Sequence, residues 1–367
     1  MQKLKTGRSV ISRARRCLVR SDISSPVLHR ETPGGTGTFL DANERMQTIV
    51  CCQRPVAGAG RLTDSGAGRA LVASGGKMTD EPEGDPTVIL VTGGTGNVGA
   101  NIVRQLLDAG EQVRVVTRAP GEHSLPGEAE VVRGDLSRPE TLPAALAGIE
   151  QVFLFPVFDA IAGFLRAGRQ AGLRHVVLLS SAAAGFPSRG WIGEQHLRAE
   201  QAVASSGLPW TFVRPDAFMT NDLAWAPQIA GGGVVRGAYG EAALAPVDPR
   251  DIAAVAVHAL LEERAGETYT VTGPQSLTQL DRVRIIGEAI GRPVRFEELP
   301  RDTVRQQMVQ HGMPAPAADE LLDGLAARVG EPAATLPTVE ELTGRRAFTY
   351  AEWVSLHRAA FAPTVTS

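Results

Sequence analysis

The stretch Thr87-Val-Ile-Leu-Val-Thr-Gly-Gly-Thr-Gly-Asn-Val-Gly99 decides the fold. Its first half is a short run of apolar and β-branched residues, which is typical of a buried strand. Its second half places glycines at positions 93, 96 and 99, and an amphipathic segment follows through about Ala109, with Val98, Ile102 and Leu106 on one face. The stretch therefore predicts a strand, a tight turn and a helix in direct succession.

The glycines of this turn have the spacing that dinucleotide-binding folds use. Gly93 permits the tight turn, Gly96 lets the backbone approach a pyrophosphate, and Gly99 allows close packing of the helix on the strand. The free N–H groups at the helix start point at the anion. Because the triplet lies between a strand and a helix, it predicts a dinucleotide site rather than an ordinary glycine-rich turn.

Strands and helices alternate beyond this turn. Further strands are predicted at 113–118, 129–133, 151–155, 175–180 and 210–214, with helices at 141–146, 160–171 and 193–205. Such alternation predicts a parallel sheet with helices on both faces. Since crossovers between parallel strands are right-handed, the simplest fold is an α/β, doubly wound Rossmann sheet of order 3-2-1-4-5-6.

The regular alternation of strands and helices ends after Arg214. A turn or flexible loop is predicted at 231–233, a short strand at 268–272, and helices at 248–261, 277–290 and over 300–362. We therefore expect an NAD(P)-binding Rossmann domain at 87–230. Residues 231–367 are expected to form a smaller, mostly helical cap that binds substrate at the carboxyl edge of the sheet.

Residues 1–86 are predicted to be a separate, disordered segment. The first 77 residues contain all three cysteines and all three lysines, with 13 Lys and Arg against 5 Asp and Glu. They show no sustained helical or strand period, and the Arg-rich start superficially matches an organellar transit peptide. Two interpretations stay open, a flexible tail or an over-extended gene start ahead of Met78. We favour the second because folding signals begin just after Met78, and the intact mass of the native protein distinguishes them.

The composition narrows the classes of function. A net charge of −3 over 367 residues excludes nucleic-acid binding driven by overall basicity. No run of apolar residues is long enough to suggest a membrane span. Downstream of Met78 there is neither Cys nor Lys, and no His, Asp and Glu spacing suggests a metal site. We expect a cytoplasmic protein that binds a small-molecule substrate, with no direct nucleic-acid partner, no membrane contact and no metal.

The end of the second strand predicts which dinucleotide binds. An acid at this position takes the ribose hydroxyls, whereas an arginine accommodates a 2′-phosphate. Here the strand ends at Thr117-Arg118, and the next acid is Glu122. This predicts a preference for NADP(H) over NAD(H). Asp135, after the third strand, is predicted either to accept a hydrogen bond from the adenine amino group or to cap the next turn.

Further motifs occur in an order that resembles one family. They are Val177-Leu-Leu-Ser-Ser181, His196-x-x-x-Glu200, Ser206-Gly-Leu-Pro-Trp-Thr-Phe-Val-Arg-Pro215, Val247-Asp-Pro-Arg-Asp-Ile-Ala253, Thr272-Gly-Pro274 and Leu342-Thr-Gly344. With the glycine turn, they resemble the NmrA-like, atypical branch of the short-chain dehydrogenase/reductase superfamily over roughly 87–361. The nearest members are NAD(P)H-dependent quinone or azo reductases and agroclavine-dehydrogenase-like proteins.

The resemblance and the strand ends together give a set of predicted cofactor residues. Phe155-Pro156 is expected to pass under the cofactor, and the segment from Pro215 to Phe218 resembles the one that covers the nicotinamide. The full predicted set is Gly93, Thr95, Gly96, Asn97, Val98, Gly99, Arg118, Asp135, Leu136, Phe155, Pro156, Ser180, His196, Pro215, Ala217 and Phe218.

The Tyr-x-x-x-Lys pair of ordinary members of the superfamily is missing, since its positions hold Ile192 and His196. Hydride transfer needs close approach and alignment before it needs an acid. His196 is predicted to hydrogen-bond the ribose, with proton donation as its other role, and Ser181 is a second catalytic candidate. The structural alternatives are a histidine on the helix surface and a serine of a turn.

A group of mostly aromatic residues in the loops is predicted to contact substrate: Phe186, Trp191, Met219, Asn221, Trp225 and Tyr239. They form either an aromatic pocket wall or the core of the cap. The pocket favours an NAD(P)H-dependent oxidoreductase that reduces a quinone, azo compound or imine. The missing Tyr-Lys pair favours the alternative, a non-catalytic NADP(H)-binding redox sensor with a regulatory protein partner.

Overall fold

The computed structural model describes residues 88–121 and 125–362. The predicted N-terminal segment 1–86 and Glu122 lie outside these residues. The strands are β1 (Val88–Thr92), β2 (Gln112–Thr117), β3 (Glu130–Arg133), β4 (Ile149–Leu154), β5 (His175–Leu179), β6 (Trp210–Pro215), β7 (Val234–Gly237), β8 (Ala243–Leu244), β9 (Glu267–Val271), β10 (Leu277–Thr278) and β11 (Arg295–Glu298).

Helices follow most of the strands of the N-terminal half and dominate the C-terminal part. They are α1 (Gly99–Asp108), α2 (Pro143–Leu146), α3 (Ile161–Ala171), α4 (Trp191–Ala204), α5 (Ala226–Gly232), α6 (Pro249–Leu261), α7 (Gln279–Ile290), α8 (Arg301–Gln310), α9 (Ala315–Ala326), α10 (Thr338–Thr343) and α11 (Tyr350–Phe361).

The main sheet is parallel throughout and has the order β3-β2-β1-β4-β5-β6-β9. The predicted doubly wound order 3-2-1-4-5-6 is confirmed. The seventh strand is a difference from expectation, because the short strand predicted within the cap pairs instead with β6, from Thr211↔Glu267 to Pro215↔Val271. The sheet therefore takes in chain from beyond residue 230, where the domain boundary was predicted.

Both faces of the sheet are buried, as the continuous apolar strands predict. Ile89 and Val91 point into a core that includes residues of α1, α6 and α10. Leu90, between them, points into the opposite core, which α2, α3 and α4 complete. Because all strands of the main sheet run parallel, their carboxyl ends, and the loops that follow them, meet at one edge.

The C-terminal part is mostly helical, as predicted, and has an apolar core of its own around Ile286, Tyr350, Trp353 and Phe361. Two small sheets join it, with β8 antiparallel to β10 and β7 parallel to β11. A turn or flexible loop was predicted at 231–233, and the flexible loop is wrong. Two of its glycines end α5, and Gly233 terminates that helix in the left-handed conformation with φ +67°. A glycine suits this C-terminal position because it has no Cβ to clash there.

No helix in 88–121 or 125–362 is both long and apolar enough to cross a membrane. Within the same ranges, no three His, Cys, Asp or Glu side chains come together in an arrangement that holds a metal ion.

Candidate cofactor and substrate site

The glycine turn lies directly at the carboxyl end of β1. Gly93 has φ +64°, a left-handed conformation that favours glycine, and its carbonyl accepts a hydrogen bond from the Gly96 amide at 3.0 Å. A Cβ added at Gly99 would lie 2.1 Å from the Gly93 oxygen. Helix α1 therefore packs directly on the turn, as the third glycine of the motif predicts.

The start of α1 has the character of an anion site. Val98 precedes the helix without a side-chain cap, and the first turn contains no acidic residue. The buried Nδ2 of Asn97 has no hydrogen-bond partner among the described residues. Unused N–H donors and the positive end of the helix dipole attract negative charge. The turn therefore fits a pyrophosphate held by the backbone and by Asn97.

Phe155 lies against this turn, and its predicted place under the cofactor stays a prediction. The buried Thr92 hydroxyl donates to the Phe153 carbonyl at 3.2 Å and accepts from the Phe155 amide at 2.7 Å, which ties the end of β1 to the end of β4. A Cβ at Gly93 would be 2.9 Å from the Phe155 Cβ. Pro156, which follows, is buried.

The ends of β2 and β3 bring Arg118 and Asp135 together. Burial raises the pKa of Asp135, but hydrogen bonds from Ser137 and the charges of Arg118 and Arg138 outweigh it, so the net pKa is below the usual value. Oδ1 of Asp135 accepts from the Ser137 amide at 2.9 Å and its hydroxyl at 2.6 Å. These contacts match the turn-capping alternative, and the contact with adenine stays a prediction, as it does for the neighbouring, partly buried Leu136.

The segment from Pro215 to Phe218 continues β6 past the edge of the sheet. On one side the Asp216 amide donates to the Val271 carbonyl at 2.9 Å. On the other side the Val247 amide donates to the Ala217 carbonyl at 2.8 Å. The segment that is predicted to cover the nicotinamide is thus held from both sides at the carboxyl edge.

Ser180 is part of a buried charged network that sequence reasoning did not identify. Its hydroxyl donates to Oε1 of Glu200 at 2.5 Å, and Arg214 donates to the two oxygens of the same carboxylate at 2.8 and 2.6 Å. Glu200 is only 3% exposed. The next residue, Ser181, accepts a hydrogen bond from the Ala183 amide at 3.2 Å and so caps the following turn. Both hydroxyls therefore have partners within the protein.

His196 lies on the buried side of α4 and not on the helix surface. It is 3% exposed, and the Phe158 ring approaches it edge-on at 5.1 Å between ring centroids. Burial lowers the pKa of His196 to about 4, and its Nδ1 has no partner among the described residues. A neutral imidazole at neutral pH can exchange a hydrogen bond with a ribose hydroxyl, but it is a poor proton donor.

The structure separates the six residues predicted to contact substrate. Met219 is 1% exposed and lies in the C-terminal core, against which Trp225 packs. Trp191 and Tyr239 pack against apolar residues of α8 and α9. Asn221 is exposed, and so is Phe186. Of the two alternatives for this group, packing within the cap describes most members, and Phe186 is the aromatic ring left at the surface.

Two charged residues of this part of the molecule, Asp216 and Arg328, were missed. Asp216 follows β6 directly, and Arg328 follows α9 with its Cζ 5.9 Å from the centre of the Phe186 ring. The Arg328 charge acts on the Asp216 carboxyl. The resemblance motif stops at Pro215, one residue short of Asp216. Arg328 lies in a stretch where helical periodicity alone gives no hint of a site.

The sheet order, the glycine turn and the loops at one edge define an NAD(P)-binding Rossmann protein. A family model described as NAD(P)H-binding matches residues 93–263. The chain is 42% identical over 286 residues to the (4-alkanoyl-5-oxo-2,5-dihydrofuran-3-yl)methyl phosphate reductase of Streptomyces griseus, covering 75% of this chain and 100% of that protein. It is 37% identical over 283 residues to the NAD(P)H azoreductase of Xenophilus azovorans, covering 75% and 99%.

Among solved structures, the chain is similar to the NADPH-dependent quinone oxidoreductase QOR2 of Escherichia coli, with a TM-score of 0.63, 25% identity, and coverage of 73% of this chain and 98% of that one. The chain belongs to the NmrA-like, atypical branch of the short-chain dehydrogenase/reductase superfamily. It is an NAD(P)H-dependent oxidoreductase, and this favours the enzyme over the alternative of a non-catalytic redox sensor.

Proposed function

We propose that the protein is a reductase that prefers NADPH. The observation that carries the proposal is Arg118, which follows β2 and acts electrostatically on Asp135 at the end of β3. A guanidinium at this position forms charge-assisted hydrogen bonds with a 2′-phosphate, which NADH does not have.

The dissociation constants of NADPH and NADH test this preference. In Arg118→Ala we expect NADPH to bind at least about tenfold more weakly, which is about 1.4 kcal/mol, while NADH binding is unchanged. Arg174→Ala is the control, since the Arg174 side chain is 74% exposed and its ion pair with Glu150 lies at the opposite ends of the strands. Tighter binding of NADH than of NADPH by the wild-type protein contradicts the proposal.

We also propose how the remaining predicted residues hold the cofactor. The backbone from Gly93 to Gly99 binds the pyrophosphate, and Asn97 contributes its unpartnered Nδ2. The neutral His196 hydrogen-bonds the nicotinamide ribose, and the Pro215–Phe218 segment covers the ring. Ser180 acts on this site through Glu200 and Arg214, because its hydroxyl is engaged there.

The proposed substrates are flat molecules with a conjugated, electrophilic double bond: quinones, azo compounds and imines. The relatives named above reduce a dihydrofuranone phosphate, an azo compound and a quinone, which share such a bond. The described part of the chain contains no lysine, and among its tyrosines Tyr350 is fully buried. A readily reduced acceptor suits a site that lacks the usual Tyr-Lys pair.

A panel of a quinone, an azo dye, an imine and a furanone phosphate tests the substrate class, with NADPH oxidation as the measurement. We expect turnover with at least one member and none with a saturated ketone. NADPH binding without turnover of any member contradicts the proposed substrates.

A further inference from the structure

Asp216 is an acidic residue at the carboxyl edge of the main sheet. It lies one residue past β6, in the segment that is proposed to cover the nicotinamide. Its amide is hydrogen-bonded to Val271 at 2.9 Å, and the next residue is bonded to Val247, so the backbone places it firmly at the carboxyl edge. The residue is half-buried, so part of it remains accessible.

The surroundings of Asp216 come from three parts of the chain. Val271 and Thr272 lie on the β9 side, Val247 on the other, and on its own strand Arg214 is paired with Glu200. The charged group that acts on it is Arg328, whose Nη1 donates to the Gly324 carbonyl at 2.8 Å. Among the ion pairs of the described residues, none joins Asp216 to Arg328. The carboxyl is therefore influenced by a cation but is not locked to it.

Other acids near this edge are engaged. Glu200 accepts hydrogen bonds from Ser180 and Arg214, and the buried Asp222 accepts from Arg282 and Tyr350. Burial raises the pKa of Asp216, and Arg328 and the Ala217 amide only partly offset this. A carboxyl that holds its proton more tightly than usual, in a site without the Tyr-Lys pair, has the property that a general acid needs.

We propose that Asp216, placed by its backbone at the carboxyl edge of the sheet, is the general acid of the reduction and that Arg328 is a positioning residue for it. This rests on the proposed function. When bound, the nicotinamide supplies a hydride to one end of the conjugated double bond and is left oxidised. The electron pair of that bond moves to the oxygen or nitrogen at its far end, where the Asp216 carboxyl places its proton. The carboxylate then regains a proton from water.

Asp216→Asn tests the proposal, with Asp302→Asn as a matched control because the Asp302 side chain is 87% exposed on α8. We expect Asp216→Asn to lower kcat about a hundredfold at the pH optimum while the dissociation constant of NADPH stays unchanged. Asp216→Glu should restore part of the loss. In the wild type, kcat should fall as pH rises and the carboxyl ionises, and this limb should be absent in Asp216→Asn.

The variant Arg328→Met distinguishes a general-acid role of Asp216 from a merely structural one. Removal of the neighbouring cation should move the alkaline limb of kcat to higher pH. The same shift should appear without cofactor or substrate in the infrared carboxyl C=O band that disappears in Asp216→Asn. If Asp216→Asn keeps full kcat and an unchanged pH profile, the assignment of Asp216 as general acid is overturned and the proposed function is not. Loss of NADPH binding in that variant also overturns the assignment, in favour of a role in cofactor binding. A wild-type protein that binds NADPH but reduces nothing contradicts the proposed function as well.

Discussion

The two ends of the site are built in different ways. At the nucleotide end, the turn after β1 uses glycines, backbone amides and an uncapped helix start. At the substrate end, the loops after β5 and β6 are held by buried charges, with Ser180, Glu200 and Arg214 in one network. The structure of the nucleotide end is determined by residues adjacent in sequence. That of the substrate end depends on Glu200, which is 14 positions from Arg214 and 20 from Ser180. We therefore expect the nucleotide end to be most sensitive to added side-chain volume and the substrate end to be most sensitive to removal of a charge.

Gly99→Val should have the largest effect. Even the first carbon of the new side chain would lie 2.1 Å from the Gly93 oxygen, so either α1 or the turn must move. We expect a loss of more than about 4 kcal/mol in the free energy of unfolding, with NADPH binding undetectable in any folded fraction. Chemical denaturation and NADPH titration measure both.

Gly127→Ala is the control for that substitution, because no atom lies within 4 Å of a Cβ there. It should leave stability and NADPH binding unchanged. Undiminished NADPH affinity in Gly99→Val would mean that the turn does not hold the pyrophosphate.

Local sequence was enough to predict the fold of the nucleotide end. The spacing of Gly93, Gly96 and Gly99 within 87–109 carries its own steric reason, and the alternation of strands and helices is enough for the sheet order. The strand at β9 was also found, but not its place, since a parallel strand pairs with a neighbour that is distant in sequence. The same limit applies to the glycines at 231–233, where a helix end and a loop share one composition.

The substrate end was predicted less well for a related reason. The sequence around an apolar residue after a strand, such as Met219, is the same whether its side chain lines a pocket or lies in a core. Only the tertiary packing distinguishes the two cases, and it places Met219 in the core. The direction of the Ser180 hydroxyl depends on Glu200, which α4 supplies. Asp216 and Arg328 have no shared sequence pattern, because their proximity is a product of tertiary folding.

Glu200→Gln tests the electrostatic side of the comparison. The change leaves the Arg214 guanidinium, 22% exposed, without its carboxylate, and removing one partner of a buried pair is costly. We expect the free energy of unfolding to fall by about 3 to 4 kcal/mol. Glu150→Gln removes an exposed partner of Arg174 and should cost less than about 1 kcal/mol. Equal losses in the two variants would show that burial adds nothing at Glu200.

His196 should make stability depend on pH. Its pKa is about 4 in the folded protein and 6.5 when unperturbed, so between these values the unfolded chain binds more protons. Stability is therefore full above pH 6.5 and should fall by up to about 3 kcal/mol as the pH approaches 4. Denaturation at a series of pH values should show a flatter curve for His196→Phe and an unaltered one for His311→Gln, an exposed histidine of the C-terminal part. An unaltered slope in His196→Phe would place its source elsewhere.

Ser181→Ala should have the smallest effect, and it distinguishes the catalytic role predicted for Ser181 from the capping contact that the structure contains. The hydroxyl oxygen accepts the Ala183 amide at 3.2 Å, so its removal should cost about 1 kcal/mol of stability, as loss of a cap does. Because that oxygen is engaged, kcat should change less than about threefold, in contrast to the loss expected from a general acid. Ser188→Ala, at an exposed position of the same loop, provides the baseline for both measurements. A hundredfold loss of kcat in Ser181→Ala, with stability equal to that of Ser188→Ala, would contradict the capping role. It would show that the Ser181 hydroxyl acts on the reacting atoms, so that two hydroxyls, those of Ser180 and Ser181, contribute to the polar interactions at the substrate end.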